Sequence, residues 1–168
     1  LLALAERHGL AIIEDAAEMH GQTWRGRPCG SFGELSTFSF YPNKHLTTGE
    51  GGMVLTDDDS LAERCRSLRN LCFQPGRRFV HNELGWNFRL SNVQAALGVA
   101  QLERLDEFVA MKRRMGARYQ ERLRGLPGLQ LPLERTADAE NIYWVFAVVL
   151  ADEIPFDADE AMRRLALD

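Results

Sequence analysis

The sequence predicts an α/β layer fold, and three observations carry that expectation. Short apolar runs of strand length alternate with stretches of helical period, and glycine-rich turns separate them. Charged residues also follow directly on the ends of two apolar runs, where open α/β sheets place their ligand groups. The 168 residues suffice for one domain with a core, and 45% apolar content, 26% charged content and a net charge of −4 are ordinary for a globular chain. That balance argues against nucleic acid as the main partner, despite the local pairs Arg77 and Arg78, and Arg113 and Arg114. No apolar run approaches membrane-spanning length and no signal-peptide pattern is present, so no membrane partner and a cytoplasmic location are expected. Cys29, Cys65 and Cys72 have neither paired nor metal-type spacing and read as reduced, structural thiols.

The elements follow in order. The chain opens without Met on Leu-Leu-Ala-Leu-Ala-Glu-Arg-His-Gly, an amphipathic helix already under way and closed by Gly9. Residues 163–168 are again helix-like, and an interior piece of a longer polypeptide is expected. Residues 10–13 read as a short buried strand, and residues 21–33 as a loop or hairpin with turn signals from Arg25 to Gly30. A second strand is expected over 35–40 and a third over 52–56, after the glycine turn. Ser60 and Glu63 form a capping box that opens a helix with Leu61, Cys65 and Leu68 as its inner stripe. Residues 73–87 read as an extended, aromatic and basic loop without periodicity. A second capping box, Ser91 with Gln94, starts an Ala-rich helix containing Gly98. Leu105, Phe108, Met115, Tyr119 and Leu123 then mark a long amphipathic helix, stopped by Gly125, Pro127, Gly128 and Pro132. Residues 141–150 read as a buried strand of a second, incomplete domain. The expected division is 1–104 and 105–168.

The segment 36–52 carries the chemistry. An apolar, aromatic run ends at Pro42, and Lys44 and a glycine-rich turn follow. That order delivers one lysine to the floor of a pocket, where desolvation frees an amine to attack a carbonyl. About thirty residues upstream, the run Ala-Ile-Ile-Glu-Asp-Ala-Ala-Glu over 11–18 ends a strand in carboxylates. A strand-end Asp15 and a pocket Lys44 suit pyridoxal phosphate, which needs a Schiff-base amine and a partner for its pyridinium nitrogen. Each residue also has a plainer role. Lys44 fits a surface turn, Asp15 a helix N-cap, Ser39 a hydroxyl satisfied by backbone, and Asn87 a turn after Gly85. His45, Thr47, Thr48 and Glu50 line the same pocket or shape its turn. Gly49, Gly51 and Gly52 match neither a Walker A loop nor a dinucleotide fingerprint, and serve backbone geometry. His8, His20 and His81 lack metal-type spacing, so no metal is expected. Arg77, Arg78 and His81 either meet a nucleotide diphosphate or form a solvated loop.

Three ordered stretches, 13–21, 36–52 and 85–97, resemble the DegT/DnrJ/EryC1/StrS sugar aminotransferases, fold-type I pyridoxal phosphate enzymes. Within that family the stretches look most like those of perosamine synthases, which aminate C4 of a GDP-linked keto sugar. The resemblance implies that residues 1–104 are the C-terminal half of a large cofactor-binding domain. The connecting helix and the start of a small α+β domain would follow. It makes Lys44 the Schiff-base lysine and Asp15 the carboxylate that keeps the pyridine nitrogen protonated. Glu18 would contact the cofactor's 3-hydroxyl side and Ser39 its phosphate, while Asn87 would reach across a homodimer to the partner's phosphate. A related dehydratase branch carries His where Lys44 stands, so the lysine favours transamination. The implied substrates are a nucleotide-linked 4-keto-6-deoxy sugar and glutamate as amino donor. UDP- or dTDP-linked sugars, amination at C3, or a non-catalytic fragment are the alternatives.

Overall fold

The computed structural model describes residues 1–166; residues 167 and 168, the end of the expected terminal helical stretch, lie outside the described residues. Its centre is a three-stranded mixed sheet made of β1 (Ile13–Asp15), β4 (Leu35–Ser39) and β5 (Gly52–Leu55), in the order β1-β4-β5. β1 runs parallel to β4, with Asp15 opposite Thr37, and β5 runs antiparallel, with Ser39 opposite Gly52. The parallel pair needs a crossover, which the chain makes through the small hairpin of β2 (Thr23–Trp24) and β3 (Arg27–Pro28). Arg25 and Gly26 turn that hairpin with φ of 50° and 77°, a pair of left-handed residues that suits the strand twist.

Before the sheet comes α1 (Leu2–His8), closed by Gly9 at φ 59° as its sequence predicts. After it come α2 (Asp59–Arg69), a hairpin of β6 (Phe73–Gln74) and β7 (Arg77–His81), α3 (Asn92–Leu102) and α4 (Leu105–Leu123). The pair β8 (Leu129–Gln130) and β9 (Val149–Leu150) and the helix α5 (Ala158–Leu165) complete the chain. The second capping box forms as expected, with the Ser91 hydroxyl accepting from the Gln94 N–H.

Four expectations are corrected. The first strand is Ile13–Asp15 rather than 10–13, and it is not buried: Leu10 is 60% and Ile13 68% exposed. The side chains of Leu10 and Ile13 are left largely uncovered by the described residues, and β4 flanks β1 on one edge. α2 is capped by Asp58, whose Oδ1 accepts the Leu61 N–H at 2.9 Å, so Ser60 sits inside the first turn. Residues 73–87 contain a hairpin, hidden from period-two reading by a bulge at Phe73 and Gln74 and a left-handed Phe79. Residues 141–150 are not one buried strand. Tyr143 at φ 50° interrupts the extension, Val145, Val148 and Val149 are exposed, and only the last two residues join a ladder.

The buried apolar residues gather where the sheet meets α4 and the segment before β9. Phe40, Leu46, Val109, Ile142 and Tyr143 are the main members. Each fully buried side chain of this size contributes about 1.5–3 kcal/mol. Gly116 in α4 lets the Tyr143 ring lie directly on the helix, since a Cβ there would collide with the ring. An open groove of about 1040 Å³ runs on the other side, between β5, α2 and residues 86–94.

Candidate active site

Lys44 stands in a loop whose two ends are tied together. Phe40 N–H donates to the Gly51 carbonyl at 2.9 Å, and Thr48 N–H donates to the Phe40 carbonyl at 3.0 Å. From α3, the Gln101 amide brackets Thr47: its Oε1 accepts the Thr47 N–H at 3.1 Å and its Nε2 donates to the Thr47 carbonyl at 2.7 Å. Gln94 Nε2 donates to the Glu50 carbonyl at 3.1 Å. Gly98 allows this close approach, because a Cβ there would stand 3.1 Å from Thr48 Cγ2. The loop is therefore a fixed ring of backbone, not a solvated turn, and Thr47, Thr48 and Glu50 shape it.

Within that ring the Lys44 side chain is 9% exposed. Its Nζ lies 3.5 Å from Glu18 Oε1 and 3.9 Å from the centroid of the Trp144 ring. Trp144 is anchored in turn, its indole N–H donating to the Asn43 carbonyl at 3.1 Å. Lys112 Nζ donates to the Trp144 carbonyl at 3.2 Å. The plain surface-lysine role does not hold for Lys44.

Asp15 and Ser39 end neighbouring strands. Asp15 pairs with Thr37 in the parallel register, and Ser39 is two residues further along the same strand, so both lie at the carboxyl end of the β1–β4 pair. No helix follows Asp15. Its Oδ1 instead accepts the Ala17 N–H at 3.0 Å across a turn, and its other oxygen takes no hydrogen bond among the described residues. The Ser39 hydroxyl accepts the Tyr41 N–H at 3.3 Å. Asn87 stands apart. It is exposed, bridges Asn70 through its backbone, and its side chain has no hydrogen-bond partner among the described residues. The structure thus joins Lys44 with Glu18, sets Asp15 and Ser39 on one sheet edge, and brings Asn87 to none of them.

The floor of the site disfavours added positive charge. His20 is buried with neither ring nitrogen hydrogen-bonded, and burial, then the nearby His45 and Lys44, push its pKa down to about 4. His45 is lowered too, chiefly by burial, although its Nε2 meets the Ile142 carbonyl at 3.0 Å. Sequence reasoning missed Trp144, Gln101 and Glu14. Glu14 pins the crossover by accepting the N–H groups of Gly30 at 2.6 Å and Phe32 at 2.9 Å. Its signal was present as the second carboxylate at the strand end. Trp144 left only an aromatic cluster. Arg77 and His81 lie in the β7 strand, where His81 Nδ1 meets the Leu71 carbonyl at 2.6 Å; the side chain of Arg78 lies outside the described residues.

The model of the DegT/DnrJ/EryC1/StrS aminotransferase family matches residues 1–167. The chain belongs to that family. Among its relatives is the GDP-perosamine synthase of Caulobacter vibrioides, 41% identical over 165 residues, which covers 98% of this chain and 44% of that protein. EpsN of Bacillus subtilis, named for pyridoxal phosphate dependence, is 37% identical over 167 residues, covering 99% of this chain and 42% of its own length. Among solved structures, the aminotransferase TlmJ from Streptoalloteichus hindustanus superposes with a TM-score of 0.87 at 32% identity, over 98% of this chain and 44% of that one. The chain spans about half the length of the curated relatives it matches. Membership of the DegT/DnrJ/EryC1/StrS family makes the α/β architecture that of a sugar aminotransferase.

Proposed function

We propose that this chain is the lysine-bearing part of a pyridoxal phosphate-dependent aminotransferase that aminates a nucleotide-linked 4-keto-6-deoxy sugar. The observation that carries the proposal is Lys44: an amine almost shut off from water, fixed in a closed loop at the carboxyl end of the sheet, beside a carboxylate. The residues present fit the cofactor by the chemistry of the donor set. They offer one amine for its aldehyde, an Asp15 oxygen free to meet the ring nitrogen, and a Ser39 hydroxyl able to donate to the phosphate. When bound, pyridoxal phosphate supplies the electron sink that transamination requires. Asp15 holds a proton on the ring nitrogen. Lys44 Nζ would hold the cofactor in place and, as a free amine, would carry the proton that transamination relocates. Glu18 orients the amine from 3.5 Å. The free amide of Asn87 serves the phosphate of a second subunit, which makes the working unit a homodimer with shared sites. Glutamate is the amino donor and C4 of a GDP-linked sugar the acceptor, a reading supported by the GDP-perosamine synthase among the relatives. Residues 1–104 form part of the cofactor domain and 105–168 the connection to a smaller one. No helix among the described residues is long and apolar enough to cross a membrane.

The chain has two lysines, Lys44 and Lys112, which makes the test direct. Full-length protein is incubated with pyridoxal phosphate, reduced with borohydride and mapped by peptide mass. The pyridoxyl group is expected on Lys44. A label on Lys112, or on neither, ends the proposal.

A further inference from the structure

Trp144 was no part of the site read from the sequence, yet three contacts converge on it. Its ring centroid is 3.9 Å from Lys44 Nζ, its indole N–H holds the Asn43 carbonyl, and its own carbonyl holds Lys112. The ring therefore touches the lysine's charge, and the indole nitrogen ties the ring to the residue before it. We propose that Trp144 is a positioning residue for Lys44, whose ring face parks the free ammonium beside Glu18 and limits when that amine is available to a carbonyl. The inference rests on Lys44 being the cofactor-holding amine.

The physical basis is the negative face of the indole, which attracts a cation and gives nothing to a neutral amine. An ammonium shut off from water at this site has few other sources of stabilisation. Among the described residues, the carboxylate in ion-pair range of it is that of Glu18, at 3.5 Å. His20 and His45 are buried imidazoles with lowered proton affinity, and Lys112 is a like charge at the Trp144 carbonyl. A parked amine is held in place but unreactive, because only the neutral form attacks. Trp144 thus holds back Lys44 only while the amine is free of the cofactor and, in the same position, accepts its charge when it takes up a proton.

Lys112 is a built-in control. It grips the backbone of Trp144, so it reports loosening of the segment but not loss of the ring face. In cofactor-free, full-length protein, acetylation of both lysines by acetic anhydride near neutral pH is followed by peptide mass. Trp144→Leu, which keeps an apolar cover without a π face, is expected to speed acetylation of Lys44 about three- to tenfold and leave Lys112 unchanged. Trp144→Phe should restore most of the protection. If Trp144→Leu fails to fold, fluorinated tryptophan at position 144 keeps the shape and weakens the negative face; the Lys44 rate should then rise with each added fluorine. Equal acceleration at both lysines, or no response to fluorination, overturns the proposal. The pyridoxyl label of the previous section is measured separately on the wild type. If it lands on Lys44 while the acetylation rates ignore Trp144, only the positioning role falls. If it does not land there, the cofactor role falls first.

Discussion

His20 is 5% exposed, its ring stands 5.4 Å from that of Phe38 and 6.0 Å from that of Phe40, and neither nitrogen has a hydrogen bond. Such a group is carried neutral, and its pKa of about 4 lies below the ordinary value of 6.5. In the unfolded chain the ring takes a proton as pH falls through 6.5; in the folded protein it resists until about 4. The unfolded state therefore binds more protons within that window, and stability is full above it and declines as the pH drops. From pH 7 to pH 5 the loss amounts to roughly 2 kcal/mol. His45 is shifted the same way and adds to the trend. Chemical denaturation at those two pH values should show His20→Leu losing about 2 kcal/mol less than wild type; parallel losses would refute the assignment. The bare nitrogens of His20 could not be read in the sequence. They depend on which side chains the crossover folds over it.

The start of α2 shows how local signals compete. Ser60 and Glu63 match the capping box, yet Asp57, Asp58 and Asp59 offer caps of their own one to three residues earlier. Asp58 takes the extended conformation, φ −92° and ψ 115°, so it is the cap, and Ser60 only donates to its Oδ1 at 2.6 Å. Asp58→Ala is expected to cost about 1 kcal/mol in thermal or chemical denaturation, and Ser60→Ala less than half of that. A larger loss for Ser60→Ala would return the cap to it. Ser91 keeps its box because both halves form, its hydroxyl accepting the Gln94 N–H and the Gln94 side chain reaching back to the cap. The helices α3 and α4 and the strands β4 and β5 announced themselves by period and by glycine punctuation. The β6–β7 hairpin did not, because a two-residue strand with a bulge has no alternation to read. Residues 141–150 erred the other way. β-branched and aromatic composition suggested a strand, while the side chains of Ile142 and Tyr143 are used to pack against other elements.

At the scale of the molecule, the strand before Glu18 and the strand before Lys44 are neighbours, β1 beside β4, and the two side chains meet at 3.5 Å. Contacts across long separations were not foreseeable: Asn43 meets Trp144 across 101 positions and His45 meets Ile142 across 97. Asn87 belongs to this scale as well, since its backbone bridges Asn70 while its side-chain amide has no hydrogen-bond partner among the described residues. If it serves a partner's phosphate, Lys44→Ala and Asn87→Ala should each be inactive alone and complement each other when mixed. Random mixing makes half the dimers mixed, each with one intact site, so about a quarter of full activity should return. Verified mixed dimers without activity would place Asn87 in its own subunit's site. The long separations also order events in time. At about 5–20 residues per second, the lysine loop leaves the ribosome roughly 5–20 s before the tryptophan that covers it. During that interval the amine stands bare in water, and the contact that encloses it forms only once residue 144 has been made.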